Sequence, residues 1–476
     1  MDARPSFTFA SRRFIFPGLA CLLWACGTSA AGLAERIQKI APRGNAGCSV
    51  HVVRPDSGAT LYSANAKKPL IPASNMKLVT TAAAVKYLGP SFAYKTRVGL
   101  RDGNLVVIGS GDPLLGDKVI DDNYGRPSGW VFRKISQALQ AQGVREVNDV
   151  VVDATVFDDQ RVHPSWPAKD LNRWYACEVC GLNYNVNCID MSISNAGGTI
   201  SLDIEPKTQF LEILNEVRPT SANDSAVGTY RTSVPNKITV FGKCRNKEGP
   251  FKVAIEQPAA FFGCLLAEHL RGAAITVRGK VIEKGVDADG RFRPLVEFVT
   301  PLSDVLSRAN TESLGLAAEA LLKTIDAYSN PGRKGGSWAG GRSLAARYLT
   351  GLGVPASEFV IDDGSGLSRE NRLTTTAITK VLLDVYRSGN WELFRDSLAV
   401  GGEEGTIDRY FGEAKYRGKV IGKTGYISGV RSFSGVCLTG GGPCLFSIIS
   451  NGPKGLSRDG INGIAKAIID EYATGK

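Results

Sequence analysis

Two stretches hold residues whose types and spacing could do chemistry. In IPASNMKLVTTAAAVKYLGP, residues 71–90, the polar trio Ser74, Asn75 and Lys77 opens an otherwise apolar segment. Residues three apart share a helix face, so the Lys77 amine can reach the Ser74 hydroxyl. A serine at a helix N-terminus also has free backbone N–H groups beside it, useful to an oxyanion as well as to a cap. The apolar residues Met76, Leu78, Val79, Ala82, Ala83, Val85 and Leu88 leave no polar face, which places the helix inside the molecule. Burial depresses a lysine pKa, so a buried pair of this kind is a nucleophile and its base. The plain alternative is an N-cap serine beside a solvated lysine. The second stretch is GKTGYISG, residues 422–429. A strand carrying Lys423, Thr424 and Gly425 beside the serine would supply a cation, a hydroxyl for a carboxylate and a glycine that lets a ligand backbone approach closely.

The elements that must position these residues follow from the pattern along the chain. Residues 46–70 read as two strands around a turn at Pro55 to Gly58, and the helix after them is stopped by Gly89-Pro90. From about 93 to 296 the pattern is that of many short strands with few helices, as in YKTRVGL, NLVVIGSG, VNDVVVDATVF, TISLDIE and AITVRGKVIE. Helical periodicity returns in PLSDVLSRANTESLGLAAEALLKTIDAY and GGRSLAARYLTGLG. The last part reads as sheet, VIGKTGYISGVRSFSGVC through CLFSIISNG, closed by a helix in INGIAKAIIDEY. The expected organisation is a mixed α/β domain in two parts, 32–92 and 297–476, interrupted by a β-rich insertion at 93–296. The glycine cluster NPGRKGGSWAGG at 330–341 lacks the Gly-Lys-Ser/Thr ending of a phosphate loop and reads as loop.

Composition bounds the rest. A chain of 476 residues, 43% hydrophobic and 22% charged, can bury more than one core. Lys and Arg outnumber Asp and Glu by 57 to 46, which favours anionic partners without naming them. Cys/His finger spacing, an aromatic RNA-binding signature and a dense basic run are all missing, so nucleic acid is not expected as a partner. With three histidines, at 51, 163 and 269, and no G-x-S-x-G elbow, a Ser-His-Asp hydrolase is poorly supported.

The N-terminus reads as a leader. Arg12 and Arg13 precede FIFPGLACLLWACGTSAAG, an apolar run ending in small residues, the order of a secretory signal peptide at 1–31 with cleavage near Ala30 or Ala31. The run is too short and broken for a transmembrane span. LWAC, ending at Cys26, leaves a lipid anchor and peripheral membrane association open, although Trp24 is an unusual neighbour there. Export to the periplasm or cell envelope permits disulfides among the eight cysteines left after the leader. Cys437 and Cys444 bracket the turn LTGGGP and suggest a cross-strand bridge. CEVC at 177–180, with Cys188, suggests a local disulfide rather than zinc, since no fourth ligand is suitably spaced. Cys264, in FFGCLLAEHL, reads as a core residue.

S-x-x-K followed far downstream by K-T-G is the pattern of penicillin-binding proteins and serine β-lactamases. The chain resembles the low-molecular-mass class C penicillin-binding proteins, the D-alanyl-D-alanine carboxypeptidase/endopeptidase family, in IPASNMKLVTTAAA, GSGDPLL (109–115), AAEALLK (317–323), GSW (336–338), DGSGLSRENRLT (363–374) and GKTGYISGVRSFSG. The likeness runs from about 46 to 470. It implies a serine β-lactamase/penicillin-binding-protein transpeptidase-like domain split by β-rich inserted domains. It implies Ser74 as the acylated nucleophile, Lys77 as its base, Lys423 as the cation that keeps Lys77 deprotonated and Thr424 as the hydroxyl that binds the substrate's terminal carboxylate. Gly425 would admit the ligand backbone, and the N–H groups of Ser74 and Tyr426 would form the oxyanion hole. The implied substrates are peptidoglycan stem peptides, with β-lactams as acylating inhibitors and neither metal nor nucleotide as cofactor.

One position departs from the family. Its middle motif, Ser-x-Asn, falls here on Ser313, Leu314 and Gly315 in TESLGLAAEALL. Ser313 remains to relay a proton to the leaving amine. Gly315 stands where an asparagine would bind the substrate amide and steady the lysine, a contact whose loss costs on the order of a hundred- to thousandfold in rate. Asn310, five residues upstream, is offset too far to substitute. The alternative to a peptidase is therefore a peptidoglycan-binding protein of the same fold that has lost turnover, and Gly315→Asn tests whether that one position silences the site. A β-lactamase or esterase is a third reading, but no deacylating Glu motif is recognisable.

Overall fold

The computed structural model describes residues 25–41, 47–287, 290–329, 335–453 and 455–473. The expected leader lies outside them as far as residue 24, and so do residues 330–334 of the glycine cluster. Both ends of the chain meet in one six-stranded antiparallel sheet. Its order is Ala399–Val400, Val420–Ile427, Val430–Cys437, Cys444–Asn451, Cys48–Val53 and Thr60–Ala64. Alternate side chains of a strand point to opposite faces, and here both faces are covered. Val50, Val52, Phe433, Phe446 and Ile448 pack with Leu33 and Ile37 of the helix Ala25–Ile40 and with Ile461, Ile464 and Ile468 of the helix Arg458–Glu471. Val53, Ile421, Val436, Leu445 and Ile449 face the other way, into the main helical core.

That core centres on the helix Met76–Leu88, whose residues 76–85 are all buried. Around it lie the helices Leu302–Asn310, Gly315–Ser329, Trp338–Gly351 and Thr375–Arg387. Residues 301–328, read as one helical stretch, are two helices, because Ser313 takes a left-handed φ of 66° in the turn between them. The glycine cluster, read as loop, is in part helix. Ser337 Oγ accepts from Gly340 N and so caps the start of Trp338–Gly351.

A second core lies under a mixed five-stranded sheet, ordered Val281–Glu283, Val150–Asp153, Asn104–Ile108, Ala93–Arg101 and Arg293–Pro301. The helices Trp130–Ala141 and Pro258–Gly272 back it, and the strand pattern had given no sign of the first. Two three-stranded sheets follow. One orders Ala226–Arg231, Lys237–Cys244 and Glu212–Pro219; the other orders Lys247–Ala254, Cys188–Ala196 and Thr199–Glu205. Arg293–Pro301 runs through the boundary expected between 296 and 297 and pairs Pro301 with Ala93, so this region leaves and returns side by side.

The expected disulfides are absent: all eight described cysteines are unbridged. Cys437 and Cys444 stand opposite each other in register, but the thiol of Cys437 donates to Ala465 O and that of Cys444 to Gly442 O. Cys177 and Cys188 meet as hydrogen-bonded thiols, and Cys180 is buried separately. Cys264 is half-buried rather than a core residue.

Candidate active site

The helix Met76–Leu88 does not begin with a side-chain cap. Residues 73–75 form a 3-10 turn, and the side chains of Pro72 and Asn75, the residues at the two cap positions, make no capping bond. Ala73 is held at φ 46°, an uncommon conformation for a residue with a Cβ and the kind of local strain that collects at functional sites. Ser74 is half-buried at this corner, and among the described residues its N–H donates to no main-chain oxygen. Asn75 ties the corner to the sheet: its Nδ2 donates to Lys423 O at 2.7 Å, and its Oδ1 accepts from Ser434 Oγ at 2.6 Å. Ser432 Oγ donates to Pro72 O at 2.6 Å.

Lys77 is not solvated. Its side chain is 2% exposed, and Nζ donates to Ser74 Oγ at 3.2 Å and to Ser365 O at 2.8 Å. Burial lowers its pKa to about 8, against the opposing pull of the Glu319 and Asp363 carboxylates. Lys423, on the strand Val420–Ile427, is fully buried, and its Nζ donates to Thr424 O at 2.8 Å. Burial first, then repulsion from Lys77, holds Lys423 well below its usual range. The Glu319 and Asp363 carboxylates act on Lys77, whereas Lys423 feels chiefly its own burial and the Lys77 charge.

Gly425 is required where it stands. A Cβ there would lie 2.8 Å from Ser74 N and collide with Ser432 Oγ. Thr424 Oγ1 donates to Thr406 Oγ1 at 2.8 Å, and Thr406 N donates to Thr311 O at 3.2 Å, which ties this strand to the turn before Ser313. The side chain of Tyr426 is 60% exposed under the Arg431 guanidinium, 4.5 Å from its ring centroid. The structure thus brings Ser74, Lys77, Lys423, Thr424 and Gly425 to one corner. Ser313 is half-buried and, among the described residues, makes no hydrogen bond with Ser74 or Lys77. At Gly315 an added Cβ would lie 2.9 Å from Tyr175 O, so main chain from the inserted region occupies the space an asparagine would need. Asn310 Nδ2 donates to Ser397 Oγ at 2.9 Å and to Thr81 Oγ1 at 3.3 Å, while its buried Oδ1 has no partner among the described residues.

Several residues of the site had no role in the sequence reading, although three of the quoted family motifs contain them. Glu319 is the acid of AAEALLK, Trp338 ends GSW, and Asp363 and Ser365 belong to DGSGLSRENRLT. The buried Glu319 carboxylate accepts from Trp338 Nε1 at 2.7 Å, Gly364 N at 2.9 Å and Ser365 N at 2.7 Å. Asp363 accepts from Gly366 N, Ser368 N and Asn371 Nδ2, each at 2.7 Å, and from Trp166 Nε1 at 3.0 Å.

Among solved structures, the chain matches penicillin binding protein 4 (dacB) from Haemophilus influenzae with a TM-score of 0.77 at 21% identity, covering 93% of this chain and 99% of that one. The same protein complexed with a β-lactam matches with a TM-score of 0.72 at 20% identity, with the same coverage. The fold is accordingly that of the penicillin-binding-protein-like peptidases. In sequence, the chain is 30% identical over 457 residues to the D-alanyl-D-alanine carboxypeptidase of Actinomadura sp. (strain R39), covering 89% of this chain and 81% of that one. It is 24% identical over 387 residues to D-alanyl-D-alanine carboxypeptidase DacB of Haemophilus influenzae, 77% of each chain. The model of the D-Ala-D-Ala carboxypeptidase 3 (S13) family matches residues 29–471, and the chain belongs to that family of hydrolases. Among the described residues, no helix is long and apolar enough to cross a membrane.

Proposed function

We propose that the chain is an exported serine-type D-Ala-D-Ala carboxypeptidase acting on peptidoglycan stem peptides through an acyl-enzyme on Ser74. The observation that carries this reading is the buried Lys77 amine, 3.2 Å from Ser74 Oγ, with its pKa lowered to about 8. Near neutrality such an amine is neutral in a useful fraction of molecules, so it can take the hydroxyl proton as Ser74 attacks the penultimate D-alanine carbonyl. The N–H of Ser74, which among the described residues donates to no main-chain oxygen, supports its part in the oxyanion hole, with the N–H of Tyr426 as the second donor. Thr424 binds the terminal carboxylate, Lys423 supplies positive charge when protonated, and Gly425 gives the peptide backbone room. Ser313 passes a proton to the departing D-alanine, and water then frees the enzyme. β-Lactams acylate the same serine. Endopeptidase cleavage would use the same attack beside the same kind of D-alanine.

Export belongs to the same proposal, with residues 1–31 as leader, and so does the division into 32–92, 93–296 and 297–476. The burial of Leu33 and Ile37 in one core with the last helix supports keeping these residues in the mature chain, although the helix that carries them begins at Ala25, before the expected cleavage site. The test is labelling with a fluorescent penicillin together with D-alanine release from a stem pentapeptide. Wild type labels and releases D-alanine, and Ser74→Ala does neither. Equal labelling of the two chains sinks the reading, while binding of wall fragments without acylation replaces it with the binding-only alternative.

A further inference from the structure

Lys77 has a second partner that its pairing with Ser74 does not explain, the main-chain oxygen of Ser365 at 2.8 Å. A neutral amine has two N–H bonds and one lone pair. Fixing one N–H on a carbonyl restricts how the amine can turn, and the lone pair is then free to face Ser74 Oγ. After the proton has moved, the same oxygen stabilises the ammonium. What holds that carbonyl in place therefore decides how well the base is aimed.

The turn Asp363–Gly366 is pinned from three sides. Asp363 folds it by accepting from Gly366 N and Ser368 N. Thr80, one turn along the nucleophile helix, donates to Gly364 O at 2.8 Å. Gly366, at φ 83°, lies so close to Ala73 that a Cβ would be driven into its carbonyl oxygen. The third side is Glu319, whose Oε1 accepts from Ser365 N and whose Oε2 accepts from both Gly364 N and Trp338 Nε1.

We propose that Glu319 is a positioning residue for Lys77, acting through the main chain of Gly364 and Ser365 and through its own charge; this rests on the reading of Lys77 as the base. The Ser365 carbonyl is the partner Lys77 has in a chain whose residue 315 carries no side chain. The charged groups around the pair are Lys423 and Asp363 beside Lys77, and Asp363 and Lys323 beside Glu319. Lys323 is itself engaged, donating to Asp158 Oδ1 at 2.6 Å and lying 4.2 Å from the Trp338 ring centroid, and His163 packs edge-on to that ring at 5.1 Å. Burial, then the Asp363 charge, raises Glu319 to about 7. Ionised Glu319 raises Lys77 in turn, so removing that charge lowers the pKa of the base.

The experiment measures the second-order rate of penicillin labelling against pH for wild type, E319Q and E319D, with thermal melting of each chain. E319Q keeps the size of the side chain but removes the charge and places an N–H donor against N–H donors. Its acid limb is expected to move down by about one pH unit, and its plateau to fall about ten- to a hundredfold as the carbonyl loses its hold. E319D keeps the charge one methylene short, so its limb stays at the wild-type pH while its plateau falls. An E319Q plateau and limb equal to wild type overturn the inference. So does a lowered plateau with an unmoved limb, the outcome of a merely structural role. If E319Q fails to fold, E319D decides, and a wild-type plateau there overturns it. A wild-type chain that does not label at Ser74 overturns the proposed function and this inference together, whereas labelling with unmoved variants overturns this inference alone.

Discussion

Gly315→Asn is expected to weaken the protein rather than restore a missing motif. A Cβ at 315 would stand 2.9 Å from Tyr175 O, 3.6 Å from Tyr175 C and 3.8 Å from its Cα. Ordinary carbon–oxygen contact needs ~0.5 Å more, and main chain yields less readily than a side-chain tip. The Tyr175 segment is also anchored, with Ala176 N on Arg173 O at 2.9 Å and Tyr175 Oη on Asp170 Oδ1 at 3.2 Å. Forcing atoms into a packed site costs about 1–3 kcal/mol. Replacing a helix glycine returns at most ~0.5–1 kcal/mol of that. The expected net loss is ~1–2 kcal/mol, read as a lower urea midpoint with unchanged slope. Gly315→Ala shares the Cβ but not the amide, so it should lose a similar amount. The labelling rate of Gly315→Asn should not exceed that of wild type. A tenfold gain in labelling at an unchanged midpoint would refute the reasoning, because it would mean that the Tyr175 main chain steps aside without cost.

Two further outcomes follow from the same corner. The labelling rate of wild type should rise with pH through about 8 and then level, because the proposed base is the neutral form of Lys77 and burial has lowered its pKa to that value; a rate flat from pH 6 to about 9.5 contradicts this. Asn75→Ala should cost about 2–3 kcal/mol, because it strips a partner from both Lys423 O and the buried Ser434 Oγ, and it should slow labelling as the strand loses its tie to the helix start. An unchanged urea midpoint would show that the tie contributes nothing.

The residues legible in the sequence were those whose meaning is local. Ser74 and Lys77 announce themselves by one-turn spacing in an apolar helix, and the strands on either side of Pro55–Gly58 by their flanking turns. Ser313 and Gly315 were legible as a motif but not as a geometry. Nothing near Gly315 in the chain says that Tyr175 will lie against it, because that approach joins segments far apart in sequence. Glu319 failed to stand out for a related reason. In AAEALLK it looks like one acid in a helix, and its meaning comes from two N–H groups on a turn some forty-five residues later. The cysteines misled because facing positions in register do not fix where each thiol points.

The sheet that carries Lys423 also sets when the site can exist. The pairing that joins its two chain segments sets Cys48–Val53 against Cys444–Asn451, with Val50 opposite Ile448, about 400 residues of intervening chain. During synthesis, the inserted region, with its own core, can fold while the Cys48–Ala64 hairpin still waits for its partner. A chain halted before residue 420 has Ser74 but neither the strand bearing Lys423 and Thr424 nor the sheet to which Asn75 is tied. On the proposed reading of Ser74 as the nucleophile, unfinished copies would be inert, and the site would be completed late, when the last strands pair with a hairpin made near the beginning.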